Sequence, residues 1–293
     1  MTPSDFIAQN FLGIPPDASA YDTARIVVLP VPFEATVSYG AGTRGGPDAL
    51  LAASRQVERY DVELDVDMTL APIHTLPPLA PDLSSPGAMT ARIRRAATRC
   101  IEDGKWVLGL GGEHTVTHGL VQAAQARHGP LSILQIDAHA DLRREYDGST
   151  QSHACAMRLC VDDGNRTVHV GIRNAGREEV EFARERKLPI FWARKCAAST
   201  DWIDEALDAL SGPVYLTIDV DGLDPSVVRT TGTPEPGGLS WWTMMDLLDG
   251  LFARHTVVGA DVVELAAGGD LASDFAAARL AVRIAALALY GKR

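Results

Sequence analysis

The chain has 293 residues, of which 46% are hydrophobic and 22% charged. This is ordinary globular usage, and it excludes an intrinsically disordered chain. A formal net charge of −11 argues against nucleic acid or an anionic membrane surface as partner and suits a small cationic one. The stretch Met1-Thr2-Pro3-Ser4-Asp5 has no basic segment leading into an apolar one, so no secretory signal is expected. Cys100, Cys155, Cys160 and Cys196 have neither zinc-knuckle spacing nor the density of a disulfide scaffold, which makes a reducing cytoplasm the expected setting.

In chain order, strand-like and helix-like patterns alternate, the signature of parallel βα units. Arg25 to Pro30 reads as the first strand. It is followed by a glycine-punctuated loop from Ser38 to Gly46 and by a helix from Pro47 to about Tyr60, with proline at its first position. Pro77 to Pro86 is a surface connector. Ala88 to Ile101 has helical periodicity, Lys105 to Leu110 is the next strand, and Thr115 to His128 is a helix. Leu131 to Ile136 is a short apolar run bounded by Gly129 and Pro130, as expected of a buried parallel strand. Further strands are expected at Arg166 to Val170, Leu188 to Trp192, Pro213 to Ile218 and Thr256 to Ala260. Phe275 to Tyr290 is too short, and too interrupted by Arg279 and Arg283, to span a bilayer, and reads as a packed C-terminal helix.

Three of these strands run into ionisable residues. After Ile136 come Asp137, His139 and Asp141 at alternate positions, which an extended backbone points the same way. Such groups are costly to bury unless something positive sits among them. The Lys105 strand closes on Gly111-Gly112-Glu113-His114, and the Pro213 strand on Asp219-Val220-Asp221. Taken alone, His114 reads more readily as a cap or turn residue than as a ligand, and the Asp219/Asp221 pair reads as well as a capping or turn pair as it does as a ligand pair. Ligand sites in open parallel sheets lie beyond the carboxyl ends of the strands, and all three clusters obey that rule. Two imidazoles and four carboxylates, with Asp137 and Asp219 placed to bridge, suit two divalent ions better than one. An oxygen-rich set with imidazole and no thiolate points to Mn²⁺ ahead of Zn²⁺.

These residues resemble the ureohydrolases, the family of arginase and agmatinase. The resemblance rests on Gly111-Gly112-Glu113-His114, Asp137-Ala138-His139-Ala140-Asp141 and Asp219-Val220-Asp221-Gly222-Leu223-Asp224-Pro225, the last followed by Thr231-Gly232-Thr233-Pro234. It extends from Pro32-Phe33-Glu34 to Asp261-Val262-Val263-Glu264. It implies one ureohydrolase domain over residues 1–293, with the three-layer α/β/α sandwich and mostly parallel central sheet of arginase. It also implies two Mn²⁺ per subunit, one on His114, Asp137, Asp141 and Asp219, the other on Asp137, His139, Asp219 and Asp221. A water between the ions would be acidified for attack on a guanidinium carbon. Asp141 would pass a proton to the departing amine, His153 would exchange protons with solvent, and Glu264 would grip the guanidinium; His153 and Glu264 would also bind substrate. The expected assembly is a homo-oligomer, trimer or hexamer.

Within the family the Ser152-His153-Ala154-Cys155-Ala156-Met157-Arg158 segment resembles agmatinase. Leu142 to Tyr146 lacks the Asn with which arginases hold the substrate α-carboxylate. The reading is therefore an agmatinase that yields putrescine and urea and belongs to polyamine metabolism. The alternatives are 4-guanidinobutyrate, another guanidino acid or arginine as substrate, acyl amide hydrolysis on the related deacetylase scaffold, and a noncatalytic metal-stabilised assembly or binding subunit. Glu113 stands where many members have Asp, Ala266-Ala267 where a proline often follows the glutamate, and Arg229 where a proline is common. Arg229 is the candidate partner for a substrate carboxylate.

Overall fold

The computed structural model describes residues 9–291, so the Met1–Asp5 stretch lies outside the described residues. In chain order, β1 (Ile26–Val31) is followed by α1 (Gly46–Ser54), a short antiparallel pair β2 (Tyr60–Asp61) and β3 (Val66–Asp67), β4 (Ile73–Thr75) and α2 (Pro86–Glu102). Next come β5 (Trp106–Gly111), α3 (Thr115–His128), β6 (Ser132–Ile136), α4 (Ala156–Asp162), β7 (Arg166–Ile172), α5 (Arg177–Arg186) and β8 (Ile190–Trp192). The chain closes with α6 (Ala193–Cys196), α7 (Trp202–Asp208), β9 (Val214–Asp219), α8 (Trp241–Arg254), β10 (Val257–Val263) and α9 (Leu271–Tyr290).

Eight strands form one sheet in the order β4-β1-β5-β10-β9-β6-β7-β8, and every pairing in it is parallel. The central strands are apolar on both faces because both are covered. Leu50 of α1, Leu247 and Leu251 of α8 and Leu280 and Ile284 of α9 pack in one buried cluster. Met89 and Ile93 of α2, Val116 and Leu120 of α3 and Met157 of α4 pack in the other. The result is the expected α/β/α sandwich. Its functional consequence lies in the strand order: β5, β10, β9 and β6 are consecutive neighbours, so the segments leaving their carboxyl ends share one rim of the sheet.

Local differences from the sequence reading have local causes. The helix expected to reach Tyr60 stops at Ser54. Asp61 Oδ1 accepts the backbone N–H groups of Glu63 and Leu64, a turn that competes with helix and starts the β2–β3 pair. The edge strand β4 has only three residues, too few to show a period-two pattern. The C-terminal helix begins at Leu271, four residues before Phe275, because Asp270 caps it by accepting the N–H of Ala272.

Candidate metal centre and active site

At the shared rim, His114 caps α3 just beyond β5, Asp137 to Asp141 follow β6, Asp219 ends β9 with Asp221 two residues on, and Glu264 follows β10. Close backbone approaches make this possible. A Cβ on Gly112 would stand 2.0 Å from the Phe33 carbonyl oxygen, and one on Gly222 would stand 2.7 Å from the Asp137 nitrogen, so both turns require glycine. Asp137, His139 and Asp141 converge, although not on an extended strand as expected. β6 ends at Ile136, His139 forms an isolated bridge with Asn174, and Asp141 turns back with φ 54°. Glu264 is also left-handed, at φ 66°. Two non-glycine residues in this sparsely populated region at one site mark backbone held in place by its surroundings.

His114 Nδ1 lies 2.9 Å from Asp141 Oδ2, 3.1 Å from Asp137 Oδ2 and 3.7 Å from Asp219 Oδ2. His139 Nδ1 lies 3.1 Å from Asp221 Oδ2 and 3.6 Å from Asp137 Oδ1. The two oxygens of Asp137 thus face different imidazoles, and two groups result, His114/Asp137/Asp219 and Asp137/His139/Asp221, each close enough to hold one metal ion. Asp219 stands with the first group, while its Oδ1 accepts the N–H of Asp221. His114 Nε2 is engaged by the Thr217 hydroxyl at 2.9 Å, whereas buried Nδ1 has no hydrogen-bond partner despite its carboxylate neighbours, none of which lies in line. An orphaned imidazole nitrogen aimed into carboxylates fits a cation at that point.

The electrostatics agree. Burial, together with the charges of Asp221, Asp137 and Glu264, pushes the Asp219 carboxyl well above its usual range. Burial and repulsion from Asp137 also raise Asp221, against the opposing hydrogen bond to His139. Asp137 goes the other way, because its contacts with His114 and His139 outweigh burial. The same pairing overrides burial at His139, whose pKa is pushed up to about 11 by Asp137 and Asp221, and raises His114 as well. Without cations, this cluster satisfies itself only by holding extra protons.

A cavity of about 140 Å³ opens over the cluster, and His114, His139, Asp141, Asp219, His153 and Glu264 all line it. Glu264 is buried, and its Oε1 accepts the His114 backbone N–H at 2.6 Å. Burial raises its pKa well above the usual range, and the charges of Glu113 and Asp221 add to the effect. His153 is fixed by residues the sequence reading did not connect to it. The Thr36 hydroxyl donates to Glu113 Oε1, accepts the His153 backbone N–H at 3.0 Å and lies 3.2 Å from His153 Nδ1. Because the single Thr36 proton goes to the carboxylate, that hydroxyl can only accept from Nδ1. The Ser152 hydroxyl, also 3.2 Å from Nδ1, can accept from it as well, so a proton on Nδ1 satisfies both contacts and leaves Nε2 as the basic nitrogen. Glu113 also accepts the N–H groups of Ala35 and Thr36 at 2.6 Å, so it ties the loop after β1 to the rim. Arg229 is not where the alternative reading needs it. Its side chain is 65% exposed, pairs with Asp270 at 3.4 Å and does not line the cavity. The cationic side chain that does line it is Arg143, which lies over the Tyr146 ring and 3.6 Å from Glu179.

Fold and site together define a carboxylate–imidazole metal centre at the carboxyl rim of the parallel sheet of an α/β/α sandwich. Residues 24–289 match the arginase family, and the chain belongs to it. It is 40% identical over 274 residues to an N(1)-aminopropylagmatine ureohydrolase of Synechocystis sp., covering 91% of this chain and 90% of that one. It is 41% identical over 261 residues to the enzyme of that name from Thermus thermophilus, covering 89% of each. Among solved structures, the agmatine ureohydrolase of Thermoplasma volcanium superposes with a TM-score of 0.85 at 28% identity, covering 97% of this chain and 96% of that one. The chain is therefore an agmatinase-like ureohydrolase, a hydrolase acting on guanidino groups. The family is one of binuclear metal enzymes, and the two carboxylate–imidazole groups are of the kind that hold such a pair.

Proposed function

We propose that the protein hydrolyses a guanidino amine of the agmatine type, releasing urea and, from agmatine, putrescine. The observation that carries this reading is the cavity wall outside the proposed ligand set: Glu264 and Glu179 add acids there, and Arg143 is already paired with Glu179, so a cationic substrate is matched and a substrate carboxylate finds no free cation. Relatives 40 and 41% identical that bear the name N(1)-aminopropylagmatine ureohydrolase favour a second substrate. It is the aminopropyl-extended form, which adds a further cationic nitrogen and would give the corresponding triamine.

In this reading His114, Asp137, Asp141 and Asp219 would hold one Mn²⁺ ion, and Asp137, His139, Asp219 and Asp221 would hold the other. Bound there, a divalent pair supplies Lewis acidity and lowers the pKa of a water toward neutrality. The protein supplies the rest. The carboxylate of Glu264, at the cavity wall, accepts guanidinium N–H bonds. Hydrolysis adds one water across the C–N bond and leaves neutral urea and a protonated amine. Asp141 holds the proton that the amine nitrogen takes up as it departs, and His153 Nε2 exchanges protons with solvent.

The test is urea release from agmatine, N(1)-aminopropylagmatine, 4-guanidinobutyrate and arginine with Mn²⁺ supplied, in the parent and in Arg143→Ala and Arg229→Ala. Guanidino amines are expected to be preferred in all three proteins, with Arg229→Ala indistinguishable from the parent. A parent that prefers 4-guanidinobutyrate and loses that preference in Arg143→Ala would overturn the amine reading and make Arg143 the carboxylate partner.

A further inference from the structure

Behind Asp137, a buried polar chain runs back between β6 and β7. Gln135 and His169 are register partners on these strands, and both are fully buried. Gln135 Nε2 donates to Asp137 Oδ2 at 2.7 Å and to the His139 carbonyl at 3.2 Å. A carboxylate and a carbonyl only accept, so the amide nitrogen must face them and Oε1 must face His169 Nδ1. Because Oε1 also only accepts, Nδ1 carries the ring proton. Nε2, 2.7 Å from Thr167 Oγ1, then accepts from that hydroxyl. Burial keeps this imidazole neutral, with its pKa pushed down to about 4. Every proton in the series Thr167, His169, Gln135, Asp137 points toward the rim, and aligned bonds of this kind reinforce one another.

The series ends on the one carboxylate that both metal-binding groups share. Asp137 Oδ1 is held by the His139 backbone N–H at 2.6 Å, and Oδ2 by Gln135. These two bonds set the rotation of the carboxylate plane that sends Oδ2 toward His114 and Oδ1 toward His139. Without the His169 proton, Gln135 Oε1 is left buried without its donor, and the carboxamide is held only at its nitrogen end, by Asp137 and the His139 carbonyl.

We propose that His169 is a positioning residue for the metal centre, which fixes the Gln135 carboxamide and through it the bridging orientation of Asp137. This rests on the metal reading given above. A histidine inside the sheet, remote from the cavity and outside every expected ligand set, thereby governs how tightly the ions are held.

The test titrates the metal-free full chain with Mn²⁺, following binding by calorimetry and by the paramagnetic resonance of the bound ions, in the parent, His169→Leu and His169→Asn. Asn places an N–H donor near the position of Nδ1, whereas Leu does not. His169→Leu should weaken Mn²⁺ binding by about 10- to 100-fold, the usual loss when a partner of a metal ligand is removed. His169→Asn should recover most of that loss, and turnover at saturating Mn²⁺ should return toward the parent value. Gln135→Met, which removes the donor to Asp137 and keeps the side-chain length, should reproduce the Leu result and serves if His169→Leu fails to fold. If the parent binds Mn²⁺ and the substituted proteins bind it equally well, or if Asn does no better than Leu, the proposal is overturned while the metal reading stands. A parent that binds no Mn²⁺ overturns both.

Discussion

Among the described residues, two of the clusters of buried charge are built on opposite principles. Under α9, Arg283 is 3% exposed and meets Asp61 at 2.7 Å, while Asp249 and Glu63, at 2.6 and 3.0 Å, keep part of their surface in water. The buried members are matched one to one. At the rim, Asp137, Asp141, Asp219, Asp221 and Glu264 are buried with only His114 and His139 among them. A chain selected only to fold would gain by neutralising such a set, whereas the first cluster is what a chain does with a charge it needs for packing. The contrast separates a structural ion pair from a site that awaits cations, and the distinction rests on charge balance rather than on burial.

The largest expected effect tests that distinction directly. Asp219→Asn should abolish turnover, because it removes a carboxylate of the His114 group that, in the proposed reading, serves both ions. In the metal-free protein the same change relieves repulsion, so the thermal midpoint should rise by on the order of a few °C. Added Mn²⁺ should stabilise the parent, by about 2.7 kcal/mol at one hundred times the dissociation constant, and leave the variant little changed. Calorimetric melts with and without Mn²⁺, beside the urea assay, check both halves. A metal-free Asp219→Asn protein that melts well below the parent would show that the rim cluster is satisfied without cations, and the comparison would collapse.

A smaller effect sharpens the comparison inside the site. His153→Ala should leave metal content unchanged and slow turnover by roughly 10² to 10⁴, the usual worth of a positioned acid–base group. Thr36→Val keeps the imidazole but removes the hydroxyl that joins it to Glu113, so a loss of about 10- to 100-fold in kcat with unchanged metal content is expected. Metal analysis beside steady-state kinetics distinguishes these from ligand changes. Full activity in His153→Ala would remove that residue from the mechanism.

The site was legible in the sequence wherever its residues follow one another at a strand end. Asp137, His139 and Asp141, then Asp219 and Asp221, announce themselves because three ionisable groups follow one apolar run and two follow another, at alternate positions. What holds them was not legible. Thr36 reaches Glu113 across 77 positions, and Thr217 links His114 to buried Asp261 through bonds of 2.9 and 2.7 Å that depend on the β5-β10-β9 register. One signal was available: Gln135 and His169 are polar residues inside the apolar runs of β6 and β7, and a polar side chain there needs a partner. The left-handed turn at Asp141 carries only a weak residue signature, since aspartate visits this region more often than most side chains but the usual glycine is absent. Arg229 was misjudged because sequence gives no direction to a loop side chain, and Asp270, its actual partner, lies 41 positions away at the cap of α9.

The change with least effect on turnover and most on folding completes the contrast. Arg283→Ala would leave Asp61 buried without its cation, and breaking a buried pair from one side costs about 3 to 5 kcal/mol. Because the pair lies under α9, away from the cavity, kcat of the folded fraction should match the parent. The pH dependence follows from Asp61. Burial alone would raise its pKa, but the N–H groups of Leu64 and Glu63 and the Arg283 guanidinium outweigh it and hold the carboxyl below its ordinary 3.8. A depressed carboxyl stabilises the fold above its unfolded pKa and loses that contribution as pH falls through the folded value. In the variant, the unpaired carboxyl is instead relieved by taking up a proton as the pH falls. Both effects narrow the gap between parent and variant in acid, so denaturant titrations should show a constant stability difference near neutrality that shrinks below about pH 5. A difference that does not vary with pH would assign the loss to the packing of the arginine stem and not to the ion pair, and the cluster under α9 would no longer serve as the compensated counterpart of the rim.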